Sequence, residues 1–221
     1  MSSTPHLTPL LQANALCGGP GSPPLIEALT HHWTAGVHAI CGDEGTGKTT
    51  LLRLLAADLP ALGGHVIVPD GGVFWVDLQG PEHDQTTVQA CWDALRPRYP
   101  QWNDALLQDL AEELDMDQHR HKRLEMLSTG SRRKVMVIAA LASGATVTLL
   151  DQPFAALDLR SIRAIQDFLS EAAEHPSRAW IVADYEAPSG VPLASVLSLG
   201  RKVCRLSIQR TEKNLDIKTP P

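Results

Sequence analysis

Residues 41–55, CGDEGTGKTTLLRLL, join a glycine-rich loop to the start of an amphipathic helix. A short apolar run at residues 37–41 precedes the loop, and the leucines that follow it recur at helical spacing. The order strand, loop, helix is the context in which the pattern GxxxxGK[ST] binds a phosphate chain. We therefore predict a phosphate-binding loop that is enclosed in an α/β fold.

The residue types in this loop suit a bound nucleoside triphosphate with magnesium. Gly45 and Gly47 permit backbone angles that aim N–H groups inward, Lys48 reaches the terminal phosphates, and the hydroxyl of Thr49 suits Mg²⁺. Asp43 and Glu44 would weaken an anion site unless they point to solvent. A glycine-rich turn with an accidental lysine is the alternative, and the flanking pattern disfavours it. The predicted nucleotide-binding residues of the loop are Gly42, Asp43, Glu44, Gly45, Thr46, Gly47, Lys48, Thr49 and Thr50.

Strands and helices alternate along much of the remaining chain, which favours a mostly parallel sheet. Continuous apolar runs are typical of strands that are buried on both faces. Before Gly36 we expect an antiparallel β region. Strands are predicted at residues 7–17, 37–41, 65–68, 73–78, 146–151 and 179–184, and helices at 48–59, 131–143 and 159–173.

From about residue 81 to 126 the sequence becomes polar and helical. Asn103 is a suitable N-cap for the segment that follows it, in which leucines at positions 106, 107, 110 and 114 share one face. We interpret this segment as a helical lobe inserted in a single domain that spans residues 1–221.

Composition limits the possible partners. The 221 residues are 43% hydrophobic with a formal net charge of −6, and Lys and Arg are scattered, so we expect no nucleic-acid partner. The four cysteines form no CxxC pair, and no apolar stretch approaches the length of a membrane span. The first residues lack the features of an export signal, so we expect a cytoplasmic chain.

Two further segments complete a recognisable set of motifs. LSTGS at residues 127–131 precedes LLDQPFAALD at residues 149–158, and Gln79 stands shortly before TTV. With the phosphate loop, and in this order, the motifs resemble those of ATP-binding-cassette (ABC) ATPases over nearly the whole chain. The region before and including LSTGS is similar to small exporter-type cassettes. The resemblance implies a three-layer P-loop NTPase core with an antiparallel N-terminal β region and a helical lobe.

The resemblance also implies residue roles at a shared site. Ser128 and Gly130 would bind the γ-phosphate held by a second cassette, identical or not, so that ATP joins two chains head to tail. Asp158 would organise the contact between the two chains. Taken alone, the LSTG segment is more readily interpreted as an ordinary helix cap, and for Asp158 a helix cap is as plausible as a role at the contact. The order and spacing of the motifs favour the γ-phosphate interpretation for LSTG.

Other positions are implied to act in catalysis and metal binding. Thr49, Gln79 and Asp151 would hold Mg²⁺, and Gln79 would also sense the γ-phosphate. The implied function is the ATP-binding subunit of a membrane transporter, located at the inner face of the membrane through a transmembrane partner.

Three departures from the family pattern concern nucleotide binding and hydrolysis. Gln152 stands where a glutamate general base is expected, and an amide cannot accept a proton at neutral pH. Asp184 and Tyr185 lie where a histidine is expected, and the carboxylate would repel the γ-phosphate. No aromatic residue stands at residues 17–20 to stack on adenine. With Gln152, Gln79 and Asp184 at the catalytic positions, we predict slow or partner-dependent hydrolysis.

Some aromatic residues and some functions stay open. Trp33 is interpreted as a core residue. Trp92, Tyr99 and Trp102 either pack the core of the helical lobe or face a membrane partner, and the sequence favours neither. A soluble ATP-dependent switch or scaffold is the alternative function. A small-molecule phosphotransferase is disfavoured because it leaves the LSTGS segment unexplained.

Overall fold

The computed structural model describes residues 8–200, which form an α/β fold. Its strands are β1 (Leu11–Gly18), β2 (Ile26–Trp33), β3 (Gly36–Cys41), β4 (Gly63–Ile67), β5 (Val73–Phe74), β6 (Val147–Asp151), β7 (Ala179–Asp184) and β8 (Ser195–Ser198). Its α-helices are α1 (Lys48–Leu55), α2 (Val88–Leu95), α3 (Asp104–Glu113), α4 (Thr129–Ala142) and α5 (Leu159–Ala172).

Five strands form a parallel sheet in the order β5-β6-β7-β3-β8. The register places Cys41 opposite Asp184 and Asp151 opposite Ala183. The carboxyl ends of β3, β6 and β7 therefore meet at one edge of the sheet, where α/β proteins commonly bind ligands. This edge brings the glycine-rich loop beside Asp151 and Asp184.

Two hydrophobic cores cover the two faces of this sheet. On one face, Ile40 and Val147 pack with α1 and with the antiparallel sheet of order β2-β1-β4. On the other face, Leu150 and Trp180 pack with the helices that follow β5. The predicted three-layer α/β architecture with an antiparallel N-terminal region is confirmed.

Residues 81–126 consist of α2, α3 and short 3₁₀ helices. Thr87 caps α2 by accepting a hydrogen bond from the N–H of Ala90 (3.2 Å), and Asn103 caps α3, as predicted, by accepting one from the N–H of Leu106 (3.0 Å). These helices pack against α4 through buried apolar side chains.

The aromatic residues of this segment belong to its core. Trp92 is 1% exposed and donates a hydrogen bond from Nε1 to the carbonyl of Val135 (3.0 Å). Tyr99 is also buried and packs on Phe74, with ring centroids 5.0 Å apart. Trp102 is half-buried and donates to Asp104 (3.1 Å). The core interpretation therefore holds for Trp92 and Tyr99.

The structure differs from the sequence prediction along two strands. The strand predicted at residues 73–78 pairs with β6 only at Val73 and Phe74. Beyond them the chain leaves the sheet, and the carbonyls of Leu78 and Gly80 accept hydrogen bonds from Arg132 instead of a strand. The predicted hairpin-like strand at 65–68 is β4, which pairs with β1 across a long connection. Leu7, the start of the first predicted strand, lies outside the described residues.

Candidate nucleotide-binding site

The loop between β3 and α1 has the backbone geometry of an anion cradle. Gly45 and Gly47 have φ of 73° and 100°, in the left-handed region that glycine adopts without strain. Asp43 and Glu44 are exposed, so their carboxylates lie at the surface of the loop. Thr46 is buried and donates its hydroxyl to the carbonyl of Asp43 (2.8 Å). Helix α1 begins directly after Gly47, which directs its positive end toward the loop.

Lys48 is a buried cation inside this loop. Its side chain is almost fully enclosed, and its Nζ donates to the carbonyls of Gly42 (2.5 Å) and Asp43 (2.9 Å). No carboxylate of residues 8–200 lies within ion-pair distance of this ammonium group. A buried charge normally requires a counter-ion, so the loop is suited to an anionic ligand.

Thr49 and Asp151 form a pair of oxygen donors beside the loop. The hydroxyl of Thr49 donates to Oδ2 of Asp151 at 2.6 Å. Oδ1 of Asp151 is buried and has no hydrogen-bond partner among the described residues. Burial raises the pKa of the Asp151 carboxyl, an effect that the Thr49 hydrogen bond partly opposes. An orphaned carboxylate oxygen next to a hydroxyl fits a hard cation such as Mg²⁺.

A cavity of about 130 Å³ adjoins this pair. Gln79, Asp151 and Gln152 all line it, so three positions that the sequence predicted for metal binding and catalysis meet at one place. Gln79 is exposed, and its N–H donates to Oδ1 of Asp77 (2.9 Å). Asp77 and Arg133 contribute the charged groups of the same wall.

Gln152 adopts an unusual main-chain conformation. Its φ is 45°, which is uncommon for a residue with a side chain. Its N–H donates to the carbonyl of Ala183 (2.8 Å), and its own carbonyl accepts from Ala155 (3.2 Å) and from Arg133. These contacts fix the end of β6 against β7 and α4.

Asp184 and Tyr185 follow directly at the end of the neighbouring strand. Oδ1 of Asp184 accepts a hydrogen bond from the N–H of Tyr185 (2.8 Å), which holds the half-buried carboxylate against its own main chain. The ring of Tyr185 lies 4.7 Å from Nζ of Lys48, within the range of a cation–π contact. The place where the family pattern expects a histidine therefore lies next to the phosphate loop.

Ser128 and Gly130 occupy a separate place, at the N-terminus of α4, and do not line the cavity. Ser128 is exposed and caps the helix by accepting a hydrogen bond from the N–H of Ser131 (3.1 Å). Gly130 is buried, and a Cβ at this position would approach the carbonyl oxygen of Ala156 to 2.3 Å. Only glycine fits there.

Asp158 is held within its own chain. Oδ1 accepts from the N–H of Ser161 (2.9 Å), which caps α5, and Oδ2 accepts from Lys134 (3.0 Å). These bonds hold the pKa of Asp158 well below its ordinary value, and the hydrogen bond from the Ser161 N–H has the largest effect. The helix-cap interpretation of Asp158 thus describes its contacts in this structure.

A larger cavity, of about 730 Å³, opens on the outer side of the phosphate loop. Gly45 and Thr46 of the loop line one side, and the turn at residues 20–25 lines the other. Among residues 8–200, no aromatic residue lines this cavity, and Leu25 is its most prominent exposed apolar side chain. A nucleotide base placed here would contact proline and leucine instead of a ring.

Sequence reasoning missed the two charged residues that line the cavity of about 130 Å³, Asp77 and Arg133. Nη1 of Arg133 donates to the carbonyl of Gln152, and its Nε is buried without a hydrogen-bond partner among the described residues. The position of Arg133 on α4, five residues after the Ser128 cap, was the available signal. Basic residues at positions 132–134 follow one another, and sequence alone does not show which of them faces the cavity.

The chain matches the family model described as "ABC transporter" over residues 32–155. It is 29% identical over 192 residues to the taurine import ATP-binding protein TauB of Pseudomonas putida, covering 76% of this chain and 70% of that protein. It is 30% identical over 169 residues to the cytochrome c biogenesis ATP-binding export protein CcmA of Chelativorans sp., covering 73% of this chain and 83% of that protein.

A solved structure gives a similar result. A protein from Pyrococcus furiosus, described as an ABC transporter ATP-binding protein, superposes with a TM-score of 0.67 at 25% identity. The match covers 86% of this chain and 96% of that one. Within residues 8–200, no helix is both long enough and apolar enough to cross a membrane.

Proposed function

Since this chain belongs to the ABC transporter family, in which its relatives are ATP-binding subunits, we propose that it binds MgATP at the loop of residues 42–50 and hydrolyses it slowly. The family recognised from the sequence motifs is confirmed. The observation that carries the proposal is the buried ammonium group of Lys48, which has no carboxylate partner within the described chain. A triphosphate would supply the missing negative charge.

The residues around Lys48 have complementary roles in the proposal. The N–H groups of the loop and of the first turn of α1 would bind the phosphate oxygens. Thr49 and Asp151 would hold Mg²⁺, directly or through water, and Gln79 stands at the same cavity. When bound, Mg²⁺ supplies positive charge that neutralises the β- and γ-phosphates.

Slow hydrolysis follows from the two strand ends. The amide of Gln152 can orient a water molecule, but it cannot remove a proton from it. The carboxylate of Asp184 adds negative charge near the place where charge develops on the γ-phosphate. The chain would therefore remain in the ATP-bound state for a long time relative to an enzyme with a general base.

Dimerisation is the second part of the proposal. Ser128 and Gly130 lie away from the cavity of their own chain, at the N-terminus of a helix of fourteen residues. A second cassette, identical or different, would present its bound γ-phosphate to this helix end. The two nucleotides would then lie between the two chains.

Lys48→Ala tests the nucleotide site. We expect the variant to lose measurable MgATP binding in calorimetry, because several phosphate charges lose their nearest cation, a loss of at least about a hundredfold in affinity. Lys122→Ala, which removes a lysine from the helical segment, is the matched control and should bind as the unmodified chain does. Equal affinity of the Lys48→Ala variant and the unmodified chain would rule out this location.

A cavity between α1, the chain that follows β5 and the helical segment is suited to a transporter partner. It measures about 590 Å³ and combines apolar groups, including Leu78 and Leu95, with charged residues such as Arg53 and Glu82. Such a mixture is typical of an interface with an apolar centre and a polar rim. We place the cytoplasmic segment of a transmembrane subunit in this cavity.

Ala94→Arg tests that placement and the transporter role together. Ala94 is exposed and lines the cavity, so a large cation should block the partner without changing MgATP affinity. The tagged unmodified chain should co-purify with a multi-span membrane protein from solubilised membranes, and the variant should lose it at least about tenfold. If the variant keeps the partner, the interface lies elsewhere on the chain. If the unmodified chain has no membrane partner, the soluble switch is favoured.

A further inference from the structure

A polar cavity of about 340 Å³ lies at the opposite edge of the parallel sheet from the phosphate loop. Thr146 and Arg178 line it, and these residues immediately precede β6 and β7. The candidate nucleotide site is at the other ends of these same strands, at Asp151 and Asp184. With roughly 3.3 Å per strand residue, the two sites are about 15–20 Å apart. The second cavity is therefore a separate site.

Arg178 is the charged residue of this cavity. Its Nε donates to the carbonyl of Ala145 (2.9 Å), and its guanidinium group lies 4.7 Å from the ring centroid of Trp180. Its Nη2 is buried and has no hydrogen-bond partner among the described residues. No carboxylate of residues 8–200 lies within 4 Å of the guanidinium group. Burial lowers the pKa of Arg178.

This arrangement has an energetic cost that a ligand could relieve. An arginine side chain stays protonated in proteins, so a partly buried guanidinium group must keep its charge. A buried donor without an acceptor costs free energy, and a charged donor costs more than a neutral one. An oxyanion would supply both the acceptor for Nη2 and the counter-charge.

The other lining residues are compatible with an oxyanion. Neutral polar side chains of Gln101, Asn103, Thr146 and Ser177 line the cavity with Arg178, and no Asp or Glu of the described part of the chain lines it. The Oδ1 of Asn103 already accepts the N–H of Leu106, so the amide of Asn103 has its donor group left for a ligand. The lining therefore offers hydrogen-bond donors around one cation and no competing negative charge.

We propose that this cavity binds a small oxyanion, with Arg178 as the principal ligand. A phosphate group and a short carboxylate share the required chemistry. The carboxylate is planar and the phosphate is tetrahedral, and each has two oxygens that can accept paired hydrogen bonds from a guanidinium group. The bound anion bridges the start of α3, through Asn103, to the starts of β6 and β7. It thereby ties the helical segment to the sheet, independently of nucleotide.

Calorimetry with the Lys48→Ala chain tests the site without interference from the phosphate loop. Inorganic phosphate and succinate are titrated separately at low salt, and at least one should bind with a dissociation constant of roughly a millimolar or below. Binding of phosphate alone identifies a phosphate site, and binding of succinate alone identifies a carboxylate site. Absence of binding by both at roughly 10 mM overturns the proposal.

Variants assign the binding to Arg178. Arg178→Gln should weaken binding at least about tenfold, since it removes the charge-assisted hydrogen bonds. Arg163→Gln, which alters an exposed arginine on α5, should leave the dissociation constant unchanged. Full binding by Arg178→Gln, or an equal loss in Arg163→Gln, contradicts the assignment.

Ser177→Glu keeps the proposal testable if Arg178→Gln fails to fold. This substitution places a carboxylate in the cavity beside Arg178, so the protein supplies its own counter-ion. Oxyanion binding should be lost, while the midpoint of thermal unfolding rises in oxyanion-free buffer. Unchanged anion affinity in this variant would overturn the proposal, because a true site could not accommodate both negative charges.

Discussion

The main chain of Gln152 is fixed by hydrogen bonds to three other segments. Its N–H is held by β7 at Ala183, and its carbonyl is held by Ala155 and by Arg133 of α4. None of these bonds involves the side chain of Gln152. A substitution that changes only the end of that side chain should therefore alter the chemistry of the cavity and leave its geometry intact.

Gln152→Glu should accelerate hydrolysis of bound ATP. A carboxylate can accept the proton of the attacking water, and general-base catalysis contributes typically about 10²–10⁴-fold. We expect a gain at the lower end of this range or below it, because the carboxylate of Asp184 remains nearby. The rate is measured in a single turnover, with protein in excess over ATP and with Mg²⁺ present.

Further variants test the same explanation. Adding Asp184→His to Gln152→Glu should raise the rate again, and more than additively if both residues act on one transition state. Gln118→Glu, an exposed position in the helical segment, is the control and should leave the rate unchanged. A typical enzyme turnover of roughly 10 s⁻¹ in the unmodified chain would show that other residues perform the catalysis.

The residues proposed for the nucleotide site were those that belong to contiguous sequence motifs. Lys48, Thr49 and Asp151 lie together because a loop after one strand and the end of another meet at the same edge of a parallel sheet. The role of Arg133 was not predictable in this way. Which face of α4 turns to the cavity depends on how that helix packs, and a run of three basic residues does not reveal it.

At the scale of elements, strands β2 and β3 bury histidines within the fold. His31 is 8% exposed and contacts Trp33 edge-on, with ring centroids 4.6 Å apart. Its Nε2 has no hydrogen-bond partner among the described residues. Burial, together with the nearby His38 and His32, lowers the pKa of His31 to about 4. The folded chain therefore holds this imidazole neutral.

Stability should consequently fall in mild acid. The unfolded chain takes up a proton at His31 below about pH 6.5, while the folded chain resists it until about pH 4, so acid favours the unfolded state. Between pH 7 and pH 5 this group alone should lower the free energy of unfolding by about 2 kcal/mol. His31→Phe keeps the packing against Trp33 and removes the titration, so its stability should change less across this range.

Urea unfolding at pH 7 and at pH 5 measures this difference. His121→Phe is the control, because His121 is exposed and should leave the pH dependence as in the unmodified chain. If His31→Phe and the unmodified chain lost the same free energy on acidification, the loss would originate in other groups.

Element prediction from sequence succeeded where apolar residues formed a continuous buried run or recurred at helical spacing. Strands β6 and β7 and helices α4 and α5 end within one or two residues of the predicted limits. The run at 73–78 is as apolar as these strands, but only Val73 and Phe74 pair with β6, and the carbonyl of Leu78 accepts a hydrogen bond from Arg132 instead. Strand β8 was not predicted, since Ser195–Ser198 is short and depends on its pairing with β3.

At the scale of the whole molecule, the residues proposed for binding ATP fall into two separated groups. Lys48 and Thr49 lie beside Asp151, which lines the cavity of about 130 Å³, and Ser128 lies exposed at the N-terminus of α4. Within one chain Ser128 does not reach that cavity, whereas a head-to-tail arrangement of two chains would bring the Ser128 of one chain to the cavity of the other. Gly130 is unsuitable for testing this idea, because even an alanine would collide with Ala156 in the same chain.

Ser128→Asp separates the two roles of this position. Aspartate caps a helix as well as serine does, so the thermal stability of the monomer should be preserved. Its carboxylate would repel the γ-phosphate bound to the opposite chain, so dimers that form with MgATP, and do not form with ADP, should be lost. Light scattering of the chain, alone and together with its partner cassette, measures this dimerisation.

Thr87→Asp makes the same chemical change at the cap of α2 and should leave dimerisation intact. Dimers that persist in Ser128→Asp, or an unmodified chain that stays monomeric with MgATP in both experiments, would exclude α4 from the nucleotide interface.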